Sequence, residues 1–167
     1  MRHCLLFASL AVLALAPLPA RAQHAHGEAK LEVVIDKNNI AIKLELPLDA
    51  AVGFERAPKN EREKAALAAA EKSLGDASLF VPTAAASCKA EAPKVVMPAF
   101  GTKAGHDGHG DVDASYSYLC ANPAALKGIE TMLFRQFKRL YRLEAQRVGP
   151  SGQGKQRLTP KNPLLAW

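Results

Sequence analysis

Four of the five histidines of this sequence stand in two short clusters, and their spacing suits metal binding. His24 and His26 occur in "QHAHGE", and His106 and His109 occur in "GHDGHGD". Neutral imidazole is the commonest protein ligand for zinc and its neighbours in the transition series. On an extended chain His24 and His26 would point to one side, about 6.5 Å apart, which is close enough to share an ion.

Acidic residues accompany the second cluster, in "HDGHGDVDASYSYLC". Even positions from Val112 to Cys120 have the alternation of a half-buried strand, so His109, Asp111 and Asp113 would lie on its opposite, polar side. If this strand neighbours the one that follows His26, the two polar sides converge on one ion. The predicted ligands are His24, His26, His109, Asp111 and Asp113, with His106 and Asp107 as accessory ligands.

Two other interpretations compete with a specific metal-binding site. In the first, both clusters are simply solvated, and the chain is an envelope structural or interaction protein. In the second, it is a metal-dependent hydrolase with Glu28 or Asp113 as base, but no His-Glu-x-x-His helix supports this. Imidazole does not distinguish zinc from copper or nickel, so the residue types alone leave all three metals open.

Residues 1–22 have the features of a secretory signal peptide. Arg2 provides the basic start, an apolar run extends from Cys4 to Leu15, and a small-x-small motif ends at Ala22. The run is too short for a bilayer-spanning helix, which needs ~20 residues. We therefore expect a periplasmic chain of residues 23–167 with no membrane span after cleavage. The full chain has a formal charge of only +6, which is less than the clustered basic charge that nucleic-acid binding usually shows. Secretion also makes nucleic acid an unexpected partner.

Cys88 and Cys120 are the two cysteines that would remain after cleavage. In an oxidising compartment the default is a disulfide, worth roughly 3–4 kcal/mol for a loop of about 30 residues. A thiolate pair in a metal site is the alternative.

The elements between these residues indicate one α+β domain over residues 23–167, mainly an antiparallel sheet with a few short helices. Residues 30–36 and 40–46 alternate as a hairpin around a polar turn containing Asn38 and Asn39, and Asn60 begins a helix that ends near Leu74. Further strands are predicted over residues 88–97, 111–120 and 129–133, with a His/Gly-containing loop over 98–110. Two more are predicted after these, one that begins near residue 141 and a last one that ends at residue 159. Pro93 predicts an edge position or a bulge.

Four stretches in this order resemble the ZrgA-like periplasmic zinc-binding proteins: "HAHGEAKLEVVID", "VGFERAP", "ASYSYLCANPAALKGIE" and "GQGKQRLTPKNPLL". The resemblance covers nearly all of residues 23–167. It implies a protein of zinc acquisition, acting upstream of a zinc importer and possessing no enzymatic activity, with components of that importer as partners.

The resemblance also implies site residues. The family's His-x-His-Gly start falls on His24, His26 and Gly27, and its histidine and aspartates before the Tyr-x-Tyr-x-Cys strand fall on His109, Asp111 and Asp113. Family members carry long histidine-rich tracts in both places, whereas this chain has two histidines in each. A small structured site is therefore expected rather than a high-capacity zinc store.

Overall fold

A computed structural model describes residues 26–100 and 110–167. The first two strands, β1 (Glu28–Asp36) and β2 (Asn39–Pro47), form the predicted hairpin. Their buried and exposed residues alternate along both strands, as expected when one face of a sheet is packed and the other is solvated. Asp36 and Asn39 form the last strand pair before the turn. The turn residue with a positive backbone φ is Lys37, at +54°, and not one of the two asparagines.

The other elements complete a mostly antiparallel α+β fold, which confirms the predicted class. The further strands are β3 (Phe80–Pro82), β4 (Cys88–Ala90), β5 (Lys94–Val96), β6 (Asp111–Cys120), β7 (Gly128–Thr131), β8 (Arg142–Gly149), β9 (Gly152–Leu158) and β10 (Leu164–Ala166). The α-helices are α1 (Leu48–Val52), α2 (Glu61–Leu74) and α3 (Leu133–Gln136). The buried residues of these elements form one hydrophobic cluster, as a single domain requires.

The larger sheet has the strand order β4-β6-β2-β1-β8-β9. The short strand β5 pairs with β6 along the same edge as β4. A smaller sheet has the order β10-β7-β3. Neighbouring strands are antiparallel except β1 and β8, which run parallel. Because β2 separates β1 from β6, the two strands that were predicted to carry the ligands are not direct neighbours.

The edge beside β6 shows why the strand predicted over 88–97 is divided in two. β4 and β5 both pair with β6, and Pro93 lies in the gap between them. Proline lacks the N–H that a continuous ladder needs. Cys88 stands directly opposite Cys120 in the β4–β6 ladder, and the two are joined by the predicted disulfide.

Two tyrosines of β6 join the buried face of the large sheet to the rest of the domain. Tyr116 donates a hydrogen bond to the carbonyl of Leu74 at 2.8 Å, and its ring packs edge-on against Phe80. The hydroxyl of Tyr118 donates to the carbonyls of Ala77 and Phe80, at 2.6 and 3.0 Å. These bonds tie β6 to the end of α2 and to the segment that leads into β3, where the Ala77 carbonyl also accepts from the amide of Phe80.

No helix within the described residues is both long enough and apolar enough to cross a bilayer.

The buried phenols predict a loss of stability in alkaline solution. Burial raises the pKa of Tyr116 and Tyr118 well above the usual value of about 10. The unfolded chain would release these protons near pH 10 while the folded chain keeps them, so their contribution is complete below pH 10 and declines as pH rises above it. Denaturant unfolding measured from pH 7 to pH 11.5 should show this decline.

Tyr118→Phe supplies the comparison for this effect. At pH 7 it should lower the free energy of unfolding by about 1–2 kcal/mol, because the Phe80 carbonyl loses the hydroxyl as donor and the Ala77 carbonyl keeps only the Phe80 amide. Above pH 10 its stability should fall less steeply than that of the parent, because one buried phenol is gone. Parallel pH profiles for parent and variant would contradict the assignment.

Candidate metal centre

Three side chains from separate stretches of the chain meet beside the start of β1: His26, Asp49 and Glu55. One ligand atom of each lies within 4.8 Å of the other two. The imidazole Nδ1 of His26 is 2.8 Å from Oδ2 of Asp49 and 3.6 Å from Oε1 of Glu55. Among residues 26–100 and 110–167, no other three His, Cys, Asp or Glu side chains come this close.

His26 is positioned by the glycine that follows it. Gly27 has a φ of +73°, and its carbonyl accepts hydrogen bonds from the amides of Tyr141 and Arg142, at 3.0 and 3.4 Å. A β-carbon on Gly27 would lie 2.6 Å from the Tyr141 ring, so no side chain fits there. The backbone next to His26 is therefore packed against the start of β8.

Asp49 and Glu55 are positioned by the short helix α1 and the turn after it. Leu48, which is buried, begins α1, and its amide donates to the carbonyl of Gly110 at 3.0 Å. The helix ends at Gly53, whose φ is +90° and whose amide donates to the Asp49 carbonyl at 2.8 Å. This left-handed residue reverses the chain direction, and Glu55 follows two residues later on the side of His26.

The three ligands differ in exposure. The His26 side chain is 75% exposed, whereas those of Asp49 and Glu55 are 20% and 18% exposed. The Oδ1 atom of Asp49 is buried and has no hydrogen-bond partner. A buried carboxylate oxygen without a donor is costly, and an ion or water commonly explains such an atom. The centre thus has two carboxylates inside and an imidazole at the solvent boundary.

The donor atoms suit zinc. Zinc is bound by imidazole nitrogen and carboxylate oxygen at about 2.0–2.2 Å, which places the ligand atoms of a tetrahedral ion roughly 3.3–3.5 Å apart. The separations of 2.8 and 3.6 Å lie on either side of that range, so small side-chain rotations would suffice. Three protein ligands would leave a further position for water or an incoming ligand.

A proton and a metal ion would compete for the same nitrogen in this candidate centre. Nδ1 of His26 faces both carboxylates, so a proton on it forms the observed contact with Asp49. A metal ion would replace that proton and bind all three groups at once.

Comparison with known proteins places the chain in a family. The model for the ZrgA family of zinc uptake proteins matches residues 23–167. The chain belongs to the ZrgA family. No curated protein matches the chain.

The ligands predicted for this ZrgA-family chain are only partly described. His24, His106, Asp107 and His109 lie outside the described residues, so their roles stay predictions. Asp111 and Asp113 occupy the solvated face of β6, opposite Pro47 and Glu45 of β2. Within the described part of the chain, His26 groups with Asp49 and Glu55, and neither of these aspartates belongs to such a group of three.

Asp49 and Glu55 were missed by the sequence analysis, although a signal for Asp49 existed. The hairpin register pairs Asp36 with Asn39 and Lys30 with Glu45. The same numbering, continued past both strands, would set His26 opposite Asp49, and α1 keeps Asp49 at that end of the hairpin. Glu55 carried no comparable signal, because its position depends on the turn made by Gly53 at the end of a five-residue helix.

The glycine beside His26 gives a test of this placement. Gly27→Ala should destabilise the protein by about 1–2 kcal/mol for the left-handed backbone and by a further ~1–3 kcal/mol for the collision with Tyr141. Gly152→Ala is the matched control, because Gly152 has a φ of +90° and a β-carbon added to it would meet no atom within 4 Å. Chemical denaturation would measure both, and equal losses would contradict close packing at Gly27.

Proposed function

We propose that this ZrgA-family chain captures zinc in the periplasm at His26, Asp49 and Glu55 and delivers it toward a zinc importer, without catalysing a reaction. The family match supports a role in zinc uptake. The orphaned, buried Oδ1 of Asp49 is the observation that carries the site, because it sits in a group of three donor atoms within 4.8 Å.

The exposure of the site suits exchange rather than storage. The imidazole of His26 is 75% exposed, so an acceptor's ligands would have direct access to the bound ion. Three protein ligands hold zinc less completely than the four of a closed structural site, and the remaining position admits the first ligand of an acceptor. Zinc could then move by stepwise ligand replacement, without the protein unfolding.

Several features support binding over hydrolysis. Glu28, one of the two bases considered for a hydrolase, forms an ion pair with Arg142 and accepts a hydrogen bond from the Tyr141 hydroxyl at 3.0 Å. A carboxylate engaged in this way is a poor general base. The open, surface position of the three ligands also leaves little to orient a substrate or exclude water.

The periplasmic assignment rests on three features of the chain. Residues 1–22 have the composition of a signal peptide, and the family match begins at residue 23. The Cys88–Cys120 disulfide is typical of proteins in oxidising compartments. The family's role in zinc uptake and the accessibility of the site support the proposed delivery to an importer.

Zinc titration of ligand variants tests the proposal. His26→Ala, Asp49→Asn and Glu55→Gln should each weaken zinc binding at neutral pH by at least about tenfold, because each removes one donor or one negative charge. Asp36→Asn, at the far end of β1, is the matched control and should bind like the parent. Affinities would be measured by competition with a chromophoric chelator. The protein would be purified in the form that remains after its host has processed the N-terminus.

The pH profile and a second set of variants complete this test. Binding should weaken below about pH 6, because protons compete for the imidazole nitrogen. A parent affinity weaker than about 100 μM, or three ligand variants that bind like the parent, would refute the site. If binding is lost only in His24→Ala, His106→Ala or His109→Ala, the zinc site would be assigned to those histidines instead.

A further inference from the structure

We propose that the ion pair between Arg56 and Glu63 is a positioning device for Glu55, and that zinc affinity depends on it although neither residue contacts the metal. This inference rests on the proposed function, since it assigns the structure behind one of the three ligands. It identifies Arg56 and Glu63 as positioning residues.

The pair is bidentate and closes the turn that carries Glu55. Arg56 donates from Nη1 to Oε2 of Glu63 at 2.7 Å and from Nη2 to Oε1 at 2.9 Å. The same guanidinium donates to the carbonyl of Ala57 at 3.0 Å and stacks over the Phe54 ring, 5.1 Å from its centre. The chain on both sides of Glu55 is therefore held by one cation. Bidentate arginine–carboxylate pairs fix orientation as well as distance.

Glu63 is itself fixed, so the pair ties the turn to a rigid element. Its carboxylate accepts from the amide of Lys59 at 2.7 Å, and its own amide donates to the side chain of Asn60 at 2.9 Å, in the first turn of α2. The guanidinium and the Lys59 amide lower the pKa of Glu63 to about 2. The carboxylate consequently stays ionised throughout the pH range in which imidazole binds zinc.

The position of this turn matters because Glu55 and Asp49 carry like charges. Their ligand atoms lie within 4.8 Å of each other, and like charges at that distance repel. The fixed turn adds to the other contacts of Glu55 in keeping its carboxylate beside Asp49. Arg56 follows Glu55 directly, and its guanidinium is directed to Glu63.

Substitutions in the pair separate positioning from folding. Arg56→Met removes the cation while keeping most of the apolar stem. Glu63→Gln retains an oxygen acceptor for the Lys59 amide and removes the charge. Each should weaken zinc binding about tenfold or more, the usual effect of losing a group that orients a metal ligand. The melting temperature of the metal-free protein should fall only modestly, because the Arg56 side chain is 42% exposed and ion pairs that reach solvent contribute little to stability.

Two further variants complete the design. Lys64→Met breaks a surface ion pair on the same helix, Lys64–Glu61 at 2.8 Å, and should leave zinc affinity unchanged. The reversed pair Arg56→Glu with Glu63→Arg should recover part of the lost affinity, which a nonspecific structural defect would not allow. Affinities come from chelator competition with zinc alone, and melting from near-ultraviolet circular dichroism.

The outcomes separate this inference from the proposed function. If Glu55→Gln weakens binding while Arg56→Met and Glu63→Gln bind like the parent, the positioning role is refuted and the zinc site stands. If Glu55→Gln also has no effect, Glu55 is not a ligand. Its place in the proposed zinc site and the positioning role of the ion pair are then both refuted. Parallel losses of melting temperature and affinity without recovery in the reversed pair would also refute positioning.

Discussion

The two-residue turn between β1 and β2 determines which residues of those strands face one another, and most of the structure depends on that register. It aligns the buried faces of both strands, so that Leu31 lies beside Leu44 and Val33 beside Ile42. A slip of one residue would turn the apolar side chains of β2 toward solvent. The same register sets the start of β1 beside the end of β2, from which α1 carries Asp49 to His26. Core packing and the metal centre are therefore set by one alignment.

The position of β1 within the sheet makes that alignment useful for a binding site. Its antiparallel partner β2 leads into α1, and its parallel partner β8 begins beside Gly27. A residue just before β1 is then flanked on one side by the end of β2 and on the other by the start of β8. The end of an edge strand would lack one of these contacts. His26 gains a fixed backbone while its ring stays exposed.

Local patterns in the sequence predicted the elements whose formation is local. The hairpin, the helix capped by Asn60, the alternation of β6 and the disulfide all follow from period, capping chemistry or compartment. The helix α1, the strand β10 and the parallel pairing of β1 with β8 were not predicted. A five-residue helix or a three-residue strand is too short to show two full periods of its buried and exposed pattern. The parallel pairing joins residues that are over a hundred positions apart, so no local pattern predicts it.

The candidate centre was predictable only where it depends on the hairpin. Histidine was a sufficient signal for His26, and the strand register contained the signal for Asp49. Glu55 looks in the sequence like any surface acid, in a stretch of mixed charge. Its place in the centre comes from a left-handed glycine and from an ion pair between residues seven positions apart, Arg56 and Glu63. Those are features of the folded chain, and no composition or spacing rule expresses them.

The charge balance of the proposed centre would allow a shallow site to bind a cation and still release it. Two carboxylates held at low exposure disfavour each other, and the orphaned oxygen of Asp49 adds a desolvation cost, so the centre without metal is poised for a positive ion. The ion relieves both costs on binding. The exposed imidazole acts in the opposite sense, since protons or the ligands of an acceptor reach it from solvent without any movement of the core. In the proposed role, affinity would arise from the less exposed side of the site and exchange from its exposed imidazole, which is the combination that a carrier of zinc requires.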